Sequence, residues 1–463
     1  MPLRLHPDRF FPADEKTREI ARELFAGVEK LPIVSPHGHT DPAWFAGNAP
    51  FEDATSLFLW PDHYLLRMLY SQGITLEALG IGSSAADRRA VWKLFARHYH
   101  LFRGTPSRLW LDHAFATVFG LDVRLEEATA DHYYDVIAAA LAMETFRPRA
   151  LFKRFNIEVL ATTEGALDPL THHAKLQKDW NGHVITTFRP DDVIDADKPD
   201  FVQNVEELGR ITGENTRTWA GYLTALENRR AFFRKHGATA TDHGHATAAT
   251  ADLSATECQA LFDRILKGQG SAADAELFRA QMLTEMARMA LDDGMTMQIH
   301  PGSFRNHNKA LFAKFGPNVG GDIPVRVDYT RALKPLLDRF GNRADLTVIL
   351  FTLDESNYAR ELAPLAGHYP CLKLGPAWWF HDSPEGMLRF RRQVTETAGF
   401  ANTVGFNDDT RAFFSIPARH DLARRIDAAY LAELVATHRL ERDEAHMLIG
   451  ELAYTLPKAV YRL

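Results

Sequence analysis

The chain is 463 residues long, with 46% hydrophobic and 24% charged residues and a formal net charge of −7 from 60 acidic and 53 basic side chains. That balance excludes a disordered chain, no apolar run is long enough to cross a bilayer, and no basic block is present to track a phosphate backbone, so neither a membrane nor nucleic acid is an expected partner. Cys258 and Cys371 are too few for a disulfide scaffold or a cysteine-rich metal site, and MPLRLHPDRFF lacks the apolar segment of a signal peptide, which predicts a cytoplasmic protein.

The first apolar run, PIVSPHGH (32–39), reads as a strand finishing in two histidines one residue apart. Successive strand side chains alternate faces, so this spacing sends His37 and His39 to one side, with Gly38 leaving room for an approaching group. Two neutral imidazoles so placed are half of a metal site; alone, the pair reads equally as polar residues where a strand leaves the core. The residues that follow carry helical patterns, among them DHYLLRMLYSQG, RRAVWKLFARHYHLF and DHYYDVIAAALAMETF, which predicts an all-helical insertion over 43–148.

Strand-like runs then recur, each ending in polar or glycine-containing residues: IEVLATTE (157–164), HVITTFRPD (183–191), GATATDHGH (237–245), MTMQIHPG (295–302), LTVILFTLD (346–354), CLKLGPAWWF (371–380) and TVGFNDDT (403–410). Between them SATE (254–257) offers a capping box with Ser254 as N-cap, and AELFRAQMLTEMARMALDDG (275–294) is a helix stopping at Gly294. The connection SFRNHNKALFAKFGPNVGGDIPVRVDYT, rich in Gly, Pro and Asn, has the composition of a lid. With the first, the runs number eight. The predicted fold is therefore α/β, a (β/α)8 TIM-type barrel forming one domain over 1–463, with the helical insertion after its first strand.

Chemistry on such a barrel sits at the C-terminal ends of the strands. The endings would gather His37, His39, Glu164, Arg189, Asp242, His243, His300, Asp354, Glu355, Trp378, Trp379, Asp408, Asp409 and Arg411 at one mouth. Each alone reads as a loop residue, a helix cap or packing. Jointly, His-x-His on the first strand, His on the fifth and Asp on the eighth form a recurring metal-site layout.

That layout resembles the amidohydrolase superfamily, and DHYLLRMLYSQGI, RFNIEVLATTE, TTFRPD, MQIHPGSFRNHN, LKLGPAWWFHDSPEGM and GFNDDTRAFFSIPARHDLARR, spread over nearly the whole chain, resemble the uronate (glucuronate) isomerases within it. The resemblance implies a sugar-acid enzyme interconverting D-glucuronate with D-fructuronate and D-galacturonate with D-tagaturonate. It also implies one divalent metal, usually Zn2+, held by the positions matching His37, His39 and Asp409. Two-metal hydrolases of the superfamily add a lysine on the fourth strand and a histidine on the sixth; here those strands end in TDHGH and FTLDES, which disfavours a second metal of that kind. The chain also departs from the isomerase pattern, with Asp408 in place of a threonine and Glu164 where Asp is common.

Moving a carbonyl from C1 to C2 needs a base, a returned proton and an oxygen clamp. His63 and Tyr64 match the family's active-site pair and are the candidates for handling the carbon-bound proton. Asp409 can ligate metal and also carry a proton between the two oxygens. The substrate carboxylate calls for a planar cation, Arg411 or Arg189, with Arg305 third. Trp379 can pack on the sugar face, and His300 stands near the metal as a ligand or as a donor to substrate. The alternative is a mononuclear zinc-dependent hydrolase of the same superfamily; a non-catalytic sugar-acid binder would have no use for His63 and Tyr64. A small uronic acid is the expected partner, and a homo-oligomer is compatible with the sequence.

Overall fold

The computed structural model describes residues 1–83 and 85–463. Seven parallel strands form the central sheet: β1 (Ile33–Ser35), β2 (Ile157–Gly165), β3 (His183–Arg189), β4 (Ala240–His243), β5 (Thr296–Ile299), β6 (Val348–Leu350) and β7 (Leu372–Leu374). Each pairs with the next in chain order, as in the β2–β3 register from Val159↔His183 to Gly165↔Arg189. Parallel strands covered by helices are buried on both faces, which is why β1, β4, β5 and β6 are buried at every position, including the polar Asp242 and Gln298.

All of the expected strands except β2 are shorter than their sequence runs, and two of them bear on the site. The first stops at Ser35, so His37 and His39 lie in the loop beyond it. The eighth run, 403–410, forms a single parallel bridge, Leu374↔Thr403. Gly405 (φ 76°) and Asp409 (φ 38°) take the backbone out of the extended region, so no ladder can continue. The same segment returns beside β1, where His39 N donates to Thr410 O at 3.0 Å.

Between β1 and β2 the chain is helical, from Pro42–Gly47 through His63–Ser71, Arg88–His98, Pro106–Thr117 and Ala130–Leu141 to Pro148–Arg154. Asp62, Asp87 and Thr105 each cap the helix that follows by accepting from its first-turn N–H groups. Trp92, Phe95, Phe115 and Tyr133 fill the centre of this region, and Phe413 and Phe414 join it to the segment after the last bridge. Ser254 and Glu257 form the expected capping box on Ala255–Leu266, and the following helix, Ala272–Asp293, begins three residues earlier than its pattern suggested because Ser271 and Asp274 make a second box. The lid-like connection folds into a small hairpin, Ser303–Phe304 against Ile323–Pro324, around the helix Lys309–Phe315. Among the described residues no helix is long and apolar enough to cross a membrane.

Candidate active site

A cavity of about 130 Å³ opens at the C-terminal end of the sheet, several times the ~10–15 Å³ that one water occupies. Loop residues after β1 and after Thr403 meet on its floor. His37 Nε2 lies 3.4 Å and His39 Nε2 3.2 Å from Asp409 Oδ1. The strand alternation that seemed to aim the two histidines does not apply, since β1 has already ended; the bond from His39 N to Thr410 O instead ties their loop to the Asp409 segment. His37 is also held from behind by Gln298 Nε2, 3.3 Å from its Nδ1, and Gln298 Oε1 accepts from Tyr461 at 2.9 Å.

Asp409 Oδ2 accepts from Trp378 Nε1, while Oδ1, buried and facing the two imidazoles, has no hydrogen-bond partner. Two ring nitrogens and an orphaned carboxylate oxygen converging on one point are a donor set suited to a divalent cation. His300 is outside this trio: its Nε2 is 2.7 Å from Asp242 Oδ1. Asp242, fully buried, also faces Arg189 Nη1 at 3.2 Å, and Arg189 Nε donates to Asp191 Oδ2 at 2.8 Å.

Over this floor stand residues of the helix His63–Ser71. The rings of His63 and Tyr64 stack at 4.6 Å, and Trp379 meets His63 edge-on at 5.6 Å. Burial, reinforced by the Arg411 guanidinium, pushes His63 down to about 4, so the ring is neutral at pH 7. Burial, with the Asp382 carboxylate beside it, holds the Tyr64 phenol well above its usual value, and Tyr64 keeps its proton. That proton is shared with Asp382 Oδ1 at 3.3 Å. Asp382 is itself paired with Arg419, whose guanidinium lies 3.6 Å over the Trp110 ring.

Arginine partners sort the candidate cations. Arg189 is committed to Asp191 and Asp242; Arg305 pairs with Asp322 at 2.9 Å and lies over Trp379 at 4.9 Å. Arg411 touches only the Asn318 amide oxygen, at 3.2 Å, and among the described residues neither it nor Arg67 has a carboxylate partner. Asn318 and Asp322 come from the connection after β5, which thus forms one wall. It can lie against the helix His63–Ser71 because Gly320 (φ 84°) has no Cβ; one added there would stand 2.5 Å from Arg67 Cβ and 2.8 Å from His63 O.

Four residues expected at the mouth point elsewhere. Pleating turns Thr163 inward, where its hydroxyl donates to Gly38 O at 2.8 Å, and so turns Glu164 outward to Thr186 and the helix residue His173. His243 turns to Thr241, Asp354 binds its own turn at Ser356, and Glu355 pairs with Arg389. Conversely, Arg67, Asn318, Asp382 and Arg419 were not singled out from the sequence. Arg419 had a signal, since Ile416–Ala436 is buried almost all round and still carries charged residues. Asp382 precedes Ser383, the N-cap of the helix Pro384–Ala398, and carries no motif of its own.

The sequence model of the glucuronate isomerase family matches residues 11–461. The chain belongs to that family. A uronate isomerase from Phenylobacterium zucineum is 65% identical over all of this chain and 97% of its own, and one from Rhizorhabdus wittichii is 66% identical over all of this chain and 99% of its own. The crystal structure of glucuronate isomerase from Caulobacter crescentus superposes with a TM-score of 0.98 at 60% identity, covering all of this chain and 98% of that one.

Proposed function

We propose that this chain is a uronate isomerase acting on D-glucuronate and D-galacturonate to give D-fructuronate and D-tagaturonate. Arg411 carries the reading: an anionic six-carbon substrate needs a fixed cation at the mouth, and Arg411 stands beside the His-His-Asp trio with its charge unpaired. Arg411 would pair with the C6 carboxylate, Arg305 and Trp379 would bound the sugar, and His300 and Arg189, linked through Asp242, would hold its oxygens.

His37, His39 and Asp409 would hold one Zn2+, which supplies Lewis-acid polarisation of the substrate oxygens when bound. The rest falls to protein groups. His63, already neutral, can take the C2 proton and return one at C1, which leaves an enediol between the two transfers. Tyr64, its proton donated to Asp382, stacks on His63 and holds that ring in place, and Asp409 moves a proton between O1 and O2. Atoms balance, because one hydrogen leaves C2 and one arrives at C1.

The fold reading that fits this site is a (β/α)8 barrel, with 403–410 as its degenerate eighth staves and the helices after β1 as an insertion that supplies His63 and Tyr64. The Leu374↔Thr403 bridge and the His39–Thr410 bond support it. A cytoplasmic setting agrees with the substrate, a catabolic sugar acid. The test is to incubate purified, metal-loaded protein with each uronate and assay the ketose. Conversion of either is expected; no conversion of both, with hydrolysis of an amide or ester by the same preparation, would move the chain to the hydrolase reading.

A further inference from the structure

Next to the catalytic cavity, at the ends of β3 and β4, a second set of metal-type ligands is gathered: Asp191, His243 and His245, all buried. One ligand atom from each lies within 4.8 Å of the others, and His245 Nε2 is 3.9 Å from Asp191 Oδ1. None of the three belongs to the His37–His39–Asp409 trio.

The ring nitrogens decide what the set wants. His243 Nε2 lies 3.0 Å from Thr241 Oγ1, a bond that leaves Nδ1 as the free nitrogen. His243 Nδ1 and His245 Nε2 are both buried with no hydrogen-bond partner, although their residues are only 0% and 4% exposed. Each such orphan is destabilising unless something fills the gap. In the tautomer whose Nε2–H donates to Thr241, His243 presents its Nδ1 lone pair to the cluster beside the unpartnered His245 Nε2 and the Asp191 carboxylate. Asp191 already accepts from Arg189 Nε and from Gly244 N, and two unpartnered imidazole nitrogens beside its carboxylate make a donor set suited to a divalent cation. The outward bond to Thr241 is also what a ligating histidine makes with its second nitrogen.

Charge agrees. Asp191, Asp242, Asp195 and Glu276 surround the cluster, against Arg189 and Arg279. Gly244, between the two histidines, is drawn in so closely that a Cβ there would lie 2.2 Å from Arg189 Nη2 and 3.0 Å from Asp191 Oδ2.

We propose that Asp191, His243 and His245 form a second divalent-cation site, of the zinc type, separate from the catalytic trio. Closing the atoms to bonding distances of about 2 Å needs each to move inward by roughly 1 Å or less. An ion there would pin Asp191, and Asp191 holds Arg189, so the site acts as a positioning element for that arginine.

Metal-stripped protein is loaded with Zn2+ or Co2+, desalted, and its metal content measured against protein by mass spectrometry. Two equivalents are expected in the unaltered protein, one in Asp409→Asn, and one in His243→Asn/His245→Asn, with far-UV circular dichroism to check folding. Tetrahedral Co2+ absorption persisting in Asp409→Asn would assign its ion to this site. Unaltered protein that takes up one equivalent or fewer, or folded Asp409→Asn that takes up none, would overturn the proposal. If the double variant fails to fold, Asp191→Asn, which preserves volume, replaces it.

Discussion

At the scale of single residues the mouth is a sorting of charges by partner. Arg189, Arg305 and Arg419 are already satisfied, so a substrate would have to compete with Asp242, Asp322 or Asp382 for them. Arg411 has no such competitor, and its fork can take both carboxylate oxygens. Arg411→Lys keeps the charge and loses the fork, and kcat/KM for either uronate is expected to fall by about 1.5–3 kcal/mol, the worth of a charged hydrogen bond; unchanged kinetics would remove Arg411 from the clamp. Asp382 sets a pH dependence. Burial, opposed by Arg419, pushes it up to about 6, so it is ionised at neutral pH and able to accept from Tyr64. As pH falls through 6 that acceptor is lost, and kcat/KM should decline on an acid limb that Asp382→Asn abolishes while lowering the plateau. Stability runs the other way. Because the folded value lies above the ordinary 3.8, the stability that Asp382 contributes is fully present below 3.8 and lost as pH rises through 6.

At the scale of elements, local signals were legible where the chain obeys local rules. Ser254, with Glu257 three residues on, read as a capping box and is one. No residue of its helix lines the cavity, so Ser254→Ala should cost about 1 kcal/mol in denaturant unfolding and leave kinetics unchanged; a kinetic change would mean that the helix communicates with the site. Strands such as β1 and β6 were legible for the same reason, since burial on both faces writes itself as a short apolar run. What could not be read were the places where a loop overrides periodicity. His37 and His39 were expected to converge through strand alternation, but β1 stops at Ser35 and a backbone bond to Thr410 brings them to Asp409. Glu164 and His243 ended their runs in polar positions that pleating and a local bond turn away from the cavity. Arg67 and Asp382 carry no local signal, because their meaning depends on which distant segment faces them: Phe380 for one, Arg419 and Tyr64 for the other.

At the scale of the whole molecule, the seven-stranded ladder runs without interruption from β1 to β7, and the join between its two edges is much thinner. One bridge at Thr403 attaches the 403–410 segment to β7, and one backbone bond from His39 to Thr410 attaches it to β1. The trio spans this seam, with two candidate ligands from residues 37 and 39 and the third from 409, nearly the full chain away. An ion held there would link the edges that hydrogen bonding leaves almost unjoined. A ligand that binds only the folded state adds about 2.7 kcal/mol at a hundred times its dissociation constant. Removing the metal should therefore lower Tm and, in hydrogen exchange, speed the amides of 403–410 more than those of β2 and β3, whose ladder does not depend on the seam. Asp409→Asn should show the fast exchange whether or not metal is added. If 403–410 exchanged at the same rate in loaded, stripped and Asp409→Asn protein, the seam would have to be held by packing of Phe413 and Phe414 against the helical region, and the trio would serve chemistry alone.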